Sequence, residues 1–256
     1  MNIVCCLKSV LLTAPEGPVV RSADLSDLNP FDRPVIETAL RLREEAGGCI
    51  TALSMGPPAA ADALRQALAL GADRAVLLCD RALAGADTLA TSTALAAAVA
   101  RLAPYDLLLF GTRTSDSDTG QVGPQTAVRL GLPLVTWVHA LERTASGFVA
   151  ERRADSFRER FAVTLPAALT IHPAACIPRD ETLAGIDAAY EHGAIETWGL
   201  DALGCDPAEV GEAGSPTRVV SLAKKTRDRK CELLTGAGEE VAEALVRTLA
   251  DRGLIG

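Results

Sequence analysis

Residues 111 to 125 hold the chain's densest set of groups able to grip an anion. They are Gly111, Thr112, Arg113, Thr114, Ser115, Asp116, Ser117, Asp118, Thr119, Gly120, Gln121, Val122, Gly123, Pro124 and Gln125. The stretch follows an apolar run, Asp106 to Phe110, that reads as a buried strand, and it leads into Thr126 to Leu130, which reads as a helix. A strand that ends in glycine and small hydroxyl residues and then opens a helix brings together free N–H groups, a positive dipole end and hydroxyls. That is where a phosphate sits. A polar loop that merely caps a helix has the same outline. Three Thr, two Ser, two Asp and two Gln in one loop exceed what a cap consumes, so composition favours the anion.

Other chemistries find little support. His139, His172 and His192 are the only histidines. His172 with Cys176, and His192 with Glu196, are four apart, but neither pair has the third ligand that a metal site needs. No GxSxG elbow, Walker GxxxxGK[ST] or GxGxxG is present, and Gly120 to Gly123 opens the helix after the fourth strand rather than the first. We therefore expect neither a catalytic residue nor a bound metal. The formal net charge is −8 and the densest basic run is only Lys224 to Lys230, which argues against nucleic acid. Seven cysteines without a CxxC pair, and an N-terminus that runs straight into a strand, point to a reducing, cytoplasmic setting. No apolar segment reaches about 18 residues unbroken, so no membrane insertion is expected.

The elements that must position the loop follow in order. Ile3 to Leu7 reads as a central strand buried on both faces. Residues to Leu28 form a long excursion with a short hairpin around Gly17. Asn29 to Asp32 opens a helix from Arg33 to Ala46, with Pro34 in its first turn and Gly47-Gly48 beyond its end. Strand Cys49 to Ser54, helix Ala59 to Leu70, strand Ala75 to Cys79, an Ala-rich helix to Leu102 capped by Asp87, and strand Asp106 to Phe110 continue at βαβ spacing. This is α/β: a doubly wound, mostly parallel sheet. Leu134 to Val138 is a fifth strand. Gly147 to Arg152 and Glu159 to Thr164 alternate as an antiparallel edge hairpin, and Ala167 to His172 is a further apolar strand. The aperiodic run from Glu196 to Thr235 reads as an extended arm laid on another chain, before a closing amphipathic helix, Gly238 to Leu249. The expected division is 1–195, a nucleotide-binding domain, and 196–256, a C-terminal arm and helix.

In such a sheet the loops at the carboxyl ends of the strands converge on one crevice. Here they carry Cys6, Asn29, Asp32, Met55 and Gly111 to Val122. A nucleotide suits them: donors for its phosphates, a carboxylate or amide for its ribose, apolar strand ends for adenine. No residue of the crevice reads as an acid, base or nucleophile, which favours binding over turnover.

These residues resemble the small (beta) subunit of electron transfer flavoproteins along nearly the whole chain. The resemblance rests on the first strand with Lys8, Asn29-Pro-Phe-Asp32 followed by Glu37 to Leu42, and Ala69 to Arg74. It continues through Asp118-Thr-Gly-Gln-Val-Gly-Pro124, Leu165-Pro166, Pro178-Arg179 with Thr182-Leu183, and Ser215-Pro216-Thr217. It implies an adenine nucleotide alpha-hydrolase-like fold and a heterodimer whose alpha subunit holds an FAD. It also implies a nucleotide in this subunit at Cys6, Asn29, Pro30, Phe31, Asp32, Met55 and Gly111 to Val122. Asp116 to Pro124 and Gly85 to Thr91 look like the electron-bifurcating branch, in which a second FAD replaces AMP. Thr88 and Thr91 share a helix face and exceed what a cap uses, so FAD is favoured and AMP is the alternative.

The bifurcating resemblance implies that this FAD would take a hydride from NADH, sending one electron to the alpha FAD and one to ferredoxin or flavodoxin. Pro178 to Glu191 resembles the family's recognition loop, with Arg179 and with Leu183 as the apolar anchor for an acyl-CoA dehydrogenase. Asp180 and the acidic character of that loop depart from the family pattern. A nucleotide-binding sensor of the universal-stress type shares the sheet and phosphate loop without needing an arm. A ligase or hydrolase would need a basic or metal-binding group near Gly120.

Overall fold

The computed structural model of the chain describes residues 1–11, 26–221 and 231–255. The expected hairpin around Gly17 lies outside the described residues. Two units are present, Met1–Val220 and Ser221–Gly256.

The first unit runs β1 (Asn2–Cys6), β2 (Ser9–Leu11), β3 (Ser26–Leu28), α1 (Arg33–Ala46), β4 (Cys49–Met55), α2 (Ala61–Leu70), β5 (Arg74–Leu78) and α3 (Thr88–Arg101). It continues through β6 (Leu107–Gly111), α4 (Val122–Arg129), β7 (Leu134–Thr144), β8 (Gly147–Ala154), β9 (Phe157–Thr164), β10 (Ala167–Ile171), α5 (Leu183–Asp187), β11 (Ile195–Trp198) and α6 (Leu200–Leu203). Nine strands form one sheet in the order β11-β5-β4-β1-β6-β10-β7-β8-β9, and β2 pairs antiparallel with β3. Every pair from β11 to β7 is parallel, and β7-β8-β9 closes the sheet as an antiparallel meander.

The parallel strands read as continuous apolar runs because helices cover both of their faces. Ile3 and Cys5 pack with α1 and α2, while Val4 and Cys6 pack with Leu95, Ala98 and Val99 of α3 and Ala127 of α4. Ile3, Ile36, Leu40, Ile50, Leu53 and Leu64 are almost completely buried. Each contributes roughly 1.5–3 kcal/mol by leaving water. The Ala-rich α3 lets α4 pack close, and Arg129 Nε donates to Ser92 Oγ at 3.1 Å across that contact.

Two boundaries differ from the sequence expectation. β7 extends to Thr144, so the edge hairpin is the outer part of a three-stranded meander. Glu196, where the arm was expected to begin, lies in β11, which pairs with β5 from Ile195 opposite Ala75 to Trp198 opposite Leu78. Beyond it Val210 is fully buried in the α3-side core. β11 has four residues, two of them exposed, so no apolar run announces it. The second unit holds α7 (Gly238–Asp251), where the Ala237 N–H donates to Glu240 Oε2 at 3.4 Å and no residue is buried.

Candidate functional site

The strand order reverses at β1, with β4 on one side and β6 on the other, and the crevice lies at their carboxyl ends. Asn29 builds its floor. The Asn29 side chain is fully buried, and its amide donates to Asp32 Oδ1 at 2.9 Å and to the Arg113 carbonyl at 3.0 Å. Its Oδ1 accepts from the Ser115 N–H at 3.3 Å. One side chain therefore ties the 29–32 turn to the loop after β6. Asp32 Oδ2 accepts from the Lys8 N–H at 2.7 Å, adding the end of β1. Burial pushes the Asp32 carboxyl up to about 7, against the hydrogen bonds from Lys8 and Asn29. A carboxyl that titrates near neutrality is a site feature that the sequence did not reveal. The signal lay only in the apolar strand ends around it.

Gly111 is needed where these parts meet. A Cβ there would lie 2.4 Å from Asp32 Oδ1 and 2.8 Å from the Phe31 carbonyl. Beyond it the loop turns on itself. The Asp118 N–H donates to the Thr114 carbonyl at 3.0 Å, Thr114 and Ser117 hydroxyls lie 2.9 Å apart, and Gly120 sits at φ +62°. Lys8 Nζ donates to Asp116 Oδ1 at 2.7 Å and to Ser117 Oγ at 3.0 Å, and Arg113 pairs with Asp118 at 3.4 Å. The loop's two acidic groups are thus paired, Asp116 with Lys8 from the end of β1 and Asp118 with the loop's own Arg113.

The two helix starts differ. At α3, Asp87 accepts from the Leu89 and Ala90 N–H groups, so that end carries its own anion. At α4, Gln121 makes no side-chain cap and Pro124 brings no N–H, so the Val122 and Gly123 N–H groups are the first-turn donors without a partner within the helix. Thr88 Oγ1 donates to Gln121 Oε1 at 3.1 Å, joining the two starts. Thr91 lies one turn along the same face of α3, half-buried. Uncapped donors on α4, hydroxyls from Thr88 to Ser117 and a Gly-enabled close approach suit a phosphate. Cys6 is buried, and burial holds its thiol well above the usual range, so it lines the apolar side as an inert group. Met55 is half-buried against the same core. Pro30, Arg113 and Ser115 to Gln121 are exposed.

An aromatic group lies beyond it, past the ends of β6 and β10 and along β7. Arg113 stacks over Phe31 at 4.6 Å. His139 and His172 stack with centroids 3.8 Å apart, and Trp137 lies 5.5 Å from His172. Burial, with His139 and Arg113 nearby, lowers the His172 pKa. Trp137 takes φ +60° where the pairing of β7 with β10 breaks register, and its N–H donates to Thr170 Oγ1 at 2.8 Å. Taken singly in the sequence, these histidines lacked a third ligand; His172 ends one predicted strand and His139 directly follows another, and that shared position was the available signal.

The expected recognition segment is separate. Arg179 is held within the chain: Nε donates to Glu37 Oε2 and Nη1 to Glu44 Oε1, both at 2.7 Å. Burial pushes the Glu37 carboxyl up, but hydrogen bonds from Arg179 and Arg41 more than reverse this and leave it lowered. Arg179 thus tethers the segment to α1. Leu183 is 87% exposed, with Ile186 and Tyr190 also exposed along the following turns, over a recess of about 590 Å³. That recess, and another of about 310 Å³ beside Arg65 and Cys79, lie away from the crevice. Among the described residues no helix is long and apolar enough to cross a membrane.

Fold and crevice together define a doubly wound α/β protein with a phosphate-competent loop at its switch point. Residues 18–203 match the family model described as electron transfer flavoprotein domain. The chain is 40% identical over 261 residues to the electron transfer flavoprotein subunit beta of Thermoanaerobacterium thermosaccharolyticum, all of both chains being covered. It is 36% identical over 263 residues to the caffeyl-CoA reductase-Etf complex subunit CarD of Acetobacterium woodii, again over the full length of both. With the acryloyl-CoA reductase electron transfer subunit gamma of Anaerotignum propionicum it shares 33% over 268 residues, also at full coverage. The chain belongs to the electron transfer flavoprotein family, on its beta-subunit side. Membership sets aside the sensor and ligase alternatives.

Proposed function

We propose that this chain is the beta subunit of a cytoplasmic heterodimeric electron carrier and binds an adenine nucleotide, FAD in preference to AMP, in the crevice above. The observation that carries the reading is the uncapped start of α4 joined through Gln121 to Thr88 on the capped start of α3. An anion on α4 finds open N–H donors. On α3 it would face Asp87. Asn29, Asp32 and Gly111 hold the loop in register, and Thr114, Ser115, Ser117 and Thr119 offer hydroxyls along it. Bound FAD would supply the hydride and single-electron chemistry that no side chain of the crevice offers. The chain's own part is to orient the nucleotide and fix its phosphates.

The partner is an alpha subunit carrying a second FAD, which the second unit, residues 221–256, engages. Leu183 on the segment tethered by Arg179 docks an acyl-CoA dehydrogenase or similar flavoenzyme; relatives named for caffeyl-CoA and acryloyl-CoA reductases support that class. NADH as donor and ferredoxin or flavodoxin as low-potential acceptor complete the bifurcating form.

The test is to co-express the chain with its alpha subunit, denature the purified complex and separate the released nucleotides against FAD and AMP standards. Two FAD and no AMP per heterodimer is the expected result. One FAD with one AMP would make the crevice a structural AMP site in a simple one-electron shuttle. Absence of both complex and nucleotide would overturn the reading.

A further inference from the structure

The stretch that leads from the sheet toward the second unit is fastened to the start of α3. The Asp87 N–H donates to Ser215 Oγ at 2.8 Å, and Ser215 Oγ donates to the Gly211 carbonyl at 2.6 Å. The Thr217 N–H donates to Asp87 Oδ2 at 3.2 Å, while Asp87 Oδ1 accepts from Leu89 and Ala90 at 2.9 and 3.0 Å. The Glu212 N–H donates to the Ala84 carbonyl at 2.9 Å, and a Cβ on Gly85 would lie 3.0 Å from Glu212 Cβ. Ser215 is buried beneath these contacts.

A helix cap uses one carboxylate oxygen. Asp87 uses the other for Thr217, and the residue after it, Thr88, donates to Gln121 at the start of α4. Contacts therefore run without a gap from Thr217 through Asp87 and Thr88 to the loop proposed to hold phosphate.

We propose that Asp87 and Ser215 are positioning residues that couple the crevice to the segment leading into the second unit. Seating of residues 211–217 sets Thr88 and Gln121 for the nucleotide's phosphates, and bound nucleotide in turn holds that segment down. The proposal rests on the nucleotide reading above, and the second effect follows from the first because coupling between binding events is reciprocal.

The test uses the full-length chain in complex with its alpha subunit, with this chain's nucleotide removed, and AMP as the probe, since AMP is the adenylate portion common to both candidate ligands. Two quantities are measured: AMP affinity, and the rate of tryptic cleavage after the exposed Arg218 with and without AMP. Ser215→Ala leaves the Asp87 carboxylate on α3. Asp87→Asn, the second variant should the first fail to assemble, keeps one cap acceptor and removes the acceptor for Thr217. In the wild type AMP is expected to slow cleavage at Arg218. In the variant, affinity falls about three- to tenfold, the scale of one lost buried hydrogen bond, and AMP's protection of Arg218 shrinks by the same factor. A general loss of stability would not link those two readouts. Wild type that binds AMP while protection and affinity match the variant's overturns the coupling alone. Wild type that binds no adenine nucleotide overturns the crevice reading, and the coupling with it.

Discussion

Asn29 and Asp32 show how much of the crevice depends on two buried polar side chains. Asn29→Ala leaves Asp32 Oδ1, the Arg113 carbonyl and the Ser115 N–H without their partner. The cost expected in urea unfolding is about 2–4 kcal/mol, because buried groups left unpaired carry their full desolvation penalty. Asp32 gives a pH signature. Its folded value of about 7 lies above the ordinary 3.8, so the folded state binds more protons between those limits. The contribution is fully present below about pH 4 and is lost as pH rises through 7. The urea midpoint of the wild type should therefore fall relative to Asp32→Asn between pH 4 and 8; parallel profiles would refute the burial argument. From the sequence, the Asn29-Pro-Phe-Asp32 turn and the Asp87 cap were legible, since both depend on neighbours a few residues away. The raised Asp32 pKa and the Asp87–Ser215 contact were not, since each is made by groups brought together from distant parts of the chain, in the second case 128 residues apart.

At the scale of elements the same division holds. α1 runs from Arg33 to Ala46 as its signals say: Pro34 in the first turn, Gly47 past the end, and apolar residues at helical spacing between. β11 carried no such signal, and only its pairing with β5 makes it a strand. The segment around α5 combines both cases, because its helix is local while its seat is made at a distance, by Arg179 and the Arg33 ion pairs on α1 and by the packing of α5 on α2. Arg179→Ala leaves Glu37 buried with Arg41 as its remaining cation. We expect a loss of about 1–2 kcal/mol at pH 7, below the cost of fully orphaning a buried charge. Since the Glu37 pKa is lowered in the fold, that loss should be present above about pH 4.5 and disappear as acid protonates the carboxyl. Leu183→Ala should separate docking from folding. An exposed side chain of this kind changes stability by no more than about 0.5 kcal/mol, so an unchanged melting temperature with slower reduction by the flavoenzyme partner is the expected pair of results.

At the scale of the whole molecule, the doubly wound sheet was readable because strand and helix alternate with continuous apolar strands. The position of the division between units was not, because residues 196 to 217 carry no period of their own and are held by the sheet and by Asp87. The unit Met1–Val220 contains every residue of the crevice and both core clusters. The unit Ser221–Gly256 contributes no buried side chain among its described residues, and the half-buried Val241 and Leu249 and the exposed Leu245 recur along one face of α7. A helix of 14 residues is marginal in water unless a partner covers its apolar face. If that partner is the alpha subunit, truncation after Val220 has two separable consequences. The shortened chain should unfold in urea within about 1 kcal/mol of the full chain, as expected when little apolar surface is removed from its core. Its association with the alpha subunit should weaken severely in analytical ultracentrifugation. Equal association would place the interface on the sheet domain and leave α7 without a partner, whereas a collapse of stability would mean that residues 221–256 complete the core of this chain itself.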